Sequence, residues 1–92
     1  MGRNRKLALI RRRIDRLDTR LLRLISRRAT FAQQIGRIKH RRQWPVYDPA
    51  REAFVLRHVG RANRGPLSTQ AVRRIFRAVL SECRRRQRKH RR

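Results

Sequence analysis

Acidic residues are nearly missing from this chain. Five Asp and Glu stand against 29 Lys and Arg in 92 residues, a formal net charge of +24. On composition alone that surplus admits a disordered basic chain or a nucleic-acid partner. Cysteine occurs once, as Cys83, so no intrachain disulfide can form. Neither a second cysteine nor a histidine pair stands at metal-ligand spacing, so no zinc centre and no other metal is expected. A single thiol fits a reducing, cytoplasmic setting. Aromatic residues are 5% of the chain, too few for a platform of stacked bases. Long apolar runs are absent too, so neither a signal peptide nor a membrane-spanning helix is expected. Lys6 stands where N-myristoylation needs Ser or Thr.

What is present is periodicity, and it argues against disorder. Leu7, Ile10, Ile14, Leu17, Leu21, Leu24, Ile25, Ala32, Ile35 and Ile38 recur at spacings of three and four. They mark one helical stripe from about residue 6 to about residue 40. Gly36 is its weak link, and an interior glycine costs only about 1 kcal/mol against alanine. Such a helix is roughly 50 Å long at 1.5 Å per residue. A domain of this size has a radius of gyration near 13 Å by the usual scaling, roughly. The rest of the chain is too short to cover that stripe, so it needs a second copy of itself. The expectation is an all-α chain of three helices, paired as an intertwined six-helix homodimer.

Gln43-Trp44-Pro45-Val46-Tyr47 ends the first helix and forms a connector. Asp48 suits the N-cap of a second helix, about 49–62, with Pro49 at its first position. Ala53, Leu56 and Val59 form its expected apolar face. Asn63-Arg64-Gly65-Pro66 is a stop. Ser68 caps a third helix, about 68–88, with Leu67 and Val72 placed as a hydrophobic staple. Val72, Ile75, Phe76, Val79, Leu80 and Cys83 carry its stripe. Residues 84–92 are almost all cationic and are expected to fray as a basic tail. The whole of 1–92 reads as one domain.

Four polar residues interrupt these faces. Positions seven or eleven apart lie within about 20° of each other on a helix. Arg28 is seven after Leu21 and seven before Ile35, and Lys39 is eleven after Arg28. Glu52 is seven before Val59, and Gln87 is seven after Leu80. Burying a lone charge costs several kcal/mol unless it finds a partner. Singly, each has a plainer explanation in a structural network or a long side chain reaching back to water. Together, two cations, a carboxylate and an amide on inward faces point to a pocket for a small anion. The remaining arginines read as outward and solvated.

These residues sit within ordered motifs. Ile10 and Arg11, Ile14 and Asp15, Leu17 and Asp18, then Leu21, Leu22, Leu24, Ile25 and Arg28 resemble the opening helix of the all-helical (type II) chorismate mutases. So do Ala32, Ile35, Gly36 and Lys39. Pro45-Val46-Tyr47-Asp48-Pro49, followed by Arg51-Glu52, resembles that family's second signature. Asn63, Gly65-Pro66-Leu67, Ile75-Phe76-Arg77, Cys83 and Gln87 resemble its third-helix region. The match runs in order over about residues 7 to 88. Each piece alone is weak; the ordered set is specific.

The resemblance implies a Claisen rearrangement of chorismate to prephenate, in phenylalanine and tyrosine biosynthesis. It implies no metal, cofactor or covalent intermediate. Negative charge develops on the ether oxygen as its bond breaks, and a preorganised cationic site stabilises it. Carried over, Arg28 would bind one carboxylate, and Arg11 the other from the partner subunit. Lys39 would contact the ether oxygen and a carboxylate, and Gln87 would donate a second hydrogen bond to that oxygen. Glu52 would accept from the ring hydroxyl, helped by the backbone near Asp48. Arg51 would assist the hydroxyl or carboxylate side. Cys83 would line the site where some members have serine. A neutral amide at position 87 donates at any ordinary pH, whereas a glutamate there would have to be protonated.

The basic surface departs from the family's pattern. It fits a chain engineered toward arginine, or drift in an arginine-rich genome, which explains poorly the scarcity of glutamate. A dimer would carry twice the charge, so self-repulsion opposes association and salt favours it. Nonspecific RNA and DNA binding is expected from the charge. A basic helical nucleic-acid-binding protein is the competing class, but it leaves Glu52 and Gln87 without a purpose. Isochorismate pyruvate lyase activity on the same fold is a further alternative, although Pro45 to Glu52 looks more like the mutase signature. A folded but inactive variant is another, if surface arginines distort the pocket.

Overall fold

The structure, a computed structural model, describes residues 2–88. Forty residues form one unbroken helix, α1 (Gly2–Arg41), which begins earlier than the apolar stripe indicates. Two shorter helices follow, α2 (Pro49–Ala62) and α3 (Thr69–Arg88). The all-α reading with one very long and two shorter helices therefore holds.

Local chemistry sets the breaks. α1 ends in a Schellman turn: the Trp44 amide donates to the Lys39 carbonyl at 2.8 Å and the Gln43 amide to that of His40 at 3.2 Å. Gln43 holds the left-handed position of that turn, with φ of 57°. Lys39 and Arg41 place cations at the negative end of the helix dipole. Asp48 caps α2, its Oδ1 accepting from the Arg51 amide at 3.1 Å, and Pro49 begins the helix. Asn63 closes the next turn: its Oδ1 accepts from the Gly65 amide and its Nδ2 donates to the Leu67 carbonyl. Ser68 Oγ accepts from the Ala71 amide at 3.1 Å and caps α3.

α3 is the hub: it packs on both α1 and α2, which do not pack on each other. Only the C-terminal part of α1 takes part. Ala32 is buried there, whereas Leu7, Ile10, Ile14, Leu17, Leu21 and Leu24 are all exposed. The molecule is accordingly elongated, 61 × 28 × 14 Å, with a radius of gyration of 17.3 Å. A folded monomer of this mass exposes about 5,700 Å² by the usual scaling; this chain exposes 8315 Å².

Three expectations need correction. On α2 the buried residue is Val55, and Ala53 is exposed. Glu52 faces inward at the start of the helix, and the inward face runs through 52, 55, 56 and 59, so the expected Leu56 and Val59 are retained. On α3, Ile75 is exposed within the single chain. Residues 84–88 are helical. They continue the helix, where cations suit the C-terminal dipole, and Arg84 is tied down by an ion pair. The remainder of the expected tail, 89–92, lies outside the described residues.

Candidate active site

Among the described residues the buried apolar ones are Ala32, Val46, Val55, Leu80 and Cys83. All five line one pocket of about 210 Å³, where α1, the connector, α2 and α3 meet. The chain's own core is therefore the wall of its pocket. Arg28, Lys39, Glu52 and Gln87, singled out by periodicity, all line it too. So do Asp48, Arg51 and Cys83, carried over by resemblance. Arg11 does not; it lies towards the free end of α1, near Asp15.

Lys39 is held at two points. Its Nζ donates to the Val46 carbonyl at 2.7 Å and to Gln87 Oε1 at 3.1 Å. An ammonium has three donors, so one remains for a bound oxygen. The contact also orients Gln87: its carbonyl oxygen faces the ammonium, which leaves the NH₂ group as the donor toward a ligand. Arg28 is half-buried and makes no hydrogen bond or ion pair among the described residues, so its guanidinium is available to a carboxylate.

Glu52 is not alone. Arg84 Nη1 donates to its Oε2 at 2.6 Å, with side-chain exposures of 24% for Arg84 and 23% for Glu52. Arg84 also lies over the Tyr47 ring, 5.0 Å from its centroid. Sequence reasoning set Arg84 aside as part of a solvated tail. A signal was available: position 84 is four after Leu80 and three before Gln87, so it shares the pocket face. Val55, three after Glu52 on the same face, was missed as well.

Gly36 is buried where α3 comes closest to α1, against the backbone of Gln87. A glycine that reads as a weak link in the sequence is what lets Gln87 reach Lys39. Among the described residues no group of His, Cys, Asp or Glu could hold a metal ion, and no helix is long and apolar enough to cross a membrane.

Three helices around a pocket lined by Arg28, Lys39, Arg51 and Arg84 define an all-helical protein with a cationic, hydrogen-bonding pocket. The comparisons with known proteins place it more narrowly. A family model described as chorismate mutase type II matches residues 10–88. The bifunctional chorismate mutase/prephenate dehydratase of Pseudomonas aeruginosa is 46% identical over 83 residues, covering 85% of this chain and 23% of that protein. Its counterpart in Stutzerimonas stutzeri is 44% identical over 84 residues, with the same two coverages. The chain thus spans about a quarter of the length of these curated relatives. The form II structure of chorismate mutase from Thermus thermophilus superposes with a TM-score of 0.90 at 28% identity, covering 92% of this chain and 97% of that one. The chain belongs to the chorismate mutase type II family.

Proposed function

We propose that this chain is a chorismate mutase domain, converting chorismate to prephenate in the route to phenylalanine and tyrosine. One observation carries the reading: Arg28, Lys39, Glu52 and Gln87 converge from three helices on a single pocket. Four cations (Arg28, Lys39, Arg51 and Arg84) and two acids (Asp48 and Glu52) line it, a surplus of two positive charges. Chorismate carries two carboxylates, which that surplus offsets.

The reaction breaks one C–O bond and forms one C–C bond within a single molecule. No proton or electron has to be supplied. The pocket must bind the compact conformer and stabilise charge on the departing oxygen. Lys39, fixed by Val46 and Gln87, supplies its remaining donor to that oxygen, and the Gln87 NH₂ group supplies a second. Arg28 takes a carboxylate. Glu52 accepts from the ring hydroxyl through its Oε1, because Oε2 is engaged by Arg84. Arg51, the backbone near Asp48 and the Cys83 thiol complete the lining.

The second carboxylate falls to Arg11 of a second chain. Arg11 and Arg28 are 17 residues apart on one helix, about 26 Å at 1.5 Å per residue, so one chain cannot bring both to one pocket. The exposed stripe of α1 supports the same arrangement, an intertwined homodimer that covers Leu7 to Leu24. A cytoplasmic setting fits the lone thiol, Cys83. The net charge of +24 supports an incidental affinity for RNA and DNA.

The test is consumption of chorismate and appearance of prephenate by nuclease-treated protein in high salt. Arg28→Ala and Lys39→Ala serve as controls. Full activity in both variants removes the proposed site. Pyruvate release from isochorismate without prephenate formation would favour the lyase. Sequence-selective nucleic-acid binding without turnover would favour the binding protein.

A further inference from the structure

Arg84 enters the pocket from α3 and ends on Glu52, with Nη1 2.6 Å from Oε2. The Tyr47 ring backs its guanidinium at 5.0 Å. Both charged side chains are about three-quarters buried, so the pair is screened less than a surface pair and its geometry is fixed. Neither the periodicity nor the motifs of the sequence assign this arginine a part.

Consider the pocket without it. Glu52 would present an unpaired carboxylate to a ligand that itself carries two. The surplus of positive charge among the lining residues would fall from two to one. Glu52 would also lose the contact that fixes its rotamer, and with it the direction in which Oε1 offers a lone pair.

We propose that Arg84 is a positioning residue. It holds Glu52 in place and neutralises it, so that a carboxylate can take a hydroxyl proton donor inside a pocket selective for a dianion. This rests on the mutase reading of the same site. Arg84 need not touch the substrate, because its effect passes through Glu52. The pair also sets specificity: it favours ligands that combine two carboxylates with a hydroxyl over dicarboxylates that lack the hydroxyl.

Steady-state kinetics of wild type, Arg84→Leu, Arg84→Lys, Glu52→Gln and the Arg84→Leu/Glu52→Gln double variant test this, with chorismate in high salt. Arg84→Leu should raise KM about tenfold, with a smaller change in kcat, the size of one charge-assisted hydrogen bond. Arg84→Lys should recover most of the loss. In the Glu52→Gln background, Arg84→Leu should add less than about a twofold change, since no charge is left to balance. Equal effects of Arg84→Leu in both backgrounds, or a loss that follows the thermal midpoint and is not recovered by lysine, would overturn the proposal. Calorimetric titration with prephenate reads the same coupling without turnover. Coupled binding with no turnover in wild type would reject the mutase reading and leave the role of Arg84 standing. Additive binding losses would reject that role, and absence of prephenate binding by wild type would reject both.

Discussion

A methyl group on Gly36 would stand 2.7 Å from the backbone oxygen of Gln87 and 2.8 Å from its Cα. These are backbone atoms, so no side-chain rotation relieves the contact. The approach of α3 to α1 at this level is set by the absence of one carbon atom.

Gly36→Ala should therefore destabilise the chain despite a better helix propensity. Overpacking a tight contact costs about 1–3 kcal/mol, against about 1 kcal/mol gained from replacing a helical glycine. Activity should fall further than stability, because any retreat of α3 carries Gln87 away from Lys39. Thermal denaturation and chorismate turnover check the two effects separately.

Gln43→Gly should do the opposite. Gln43 sits at φ 57° in the turn that ends α1. A residue with a Cβ pays roughly 1–2 kcal/mol there, and glycine is the usual occupant. After glycine's greater unfolded-state entropy, the gain should be about 0.5–1 kcal/mol, with turnover unchanged. A lower denaturation midpoint would contradict the Schellman geometry.

Arg11→Ala and Arg28→Ala should each be nearly inactive alone and active when mixed. In a mixed dimer one site takes Arg28 from the Arg11→Ala chain and Arg11 from the other. Random exchange makes about half the dimers mixed, each with one intact site of two, so activity should approach about a quarter of wild type. Mixing after denaturation and refolding, followed by assay, measures this. No recovery would exclude a shared site.

Gln87→Glu should make turnover depend on acid. The Gln87 NH₂ group is the proposed donor, and a carboxyl group donates only when protonated. Lys39 lies 3.1 Å from the Gln87 oxygen, and a nearby ammonium favours the ionised carboxyl. The variant should therefore be active only towards low pH and lose activity as pH rises, while wild type shows no such loss over the same range. A flat profile in the variant would remove the donor role of Gln87.

Ionic strength should act on assembly and capture in opposite senses. Salt screens repulsion between two chains of +24 each and should strengthen the dimer. The same screening weakens attraction for an anionic substrate, so kcat/KM should fall at saturating dimer concentration. Light scattering after size-exclusion chromatography and initial rates over a salt series separate the two.

Much of this was legible in the sequence, because helices write their faces at fixed intervals. Asp48, Pro49 and Ser68 announce helix starts by local hydrogen bonding that needs no tertiary context. Arg28, Lys39, Glu52 and Gln87 stand out because a polar residue on an apolar line is visible without a structure. Arg84 was hidden by its neighbours: in a run of arginines, one that turns inward looks like the rest. Gly36 was misread for another reason. Propensity prices a glycine within its own helix, whereas this one answers to a backbone 51 positions further on. Val55 was missed because Glu52 displaces the inward line of α2, which apolar spacing alone cannot show.

Every one of the five buried apolar residues among the described residues also lies in the pocket wall. A change at any of these five positions should therefore disturb the pocket as well as the fold. Sequence variation is left with the outside. Outside the α1 stripe, Arg11 and the pocket lining, the exposed positions can take arginine, as many of them here do, without altering any side chain that lines the pocket.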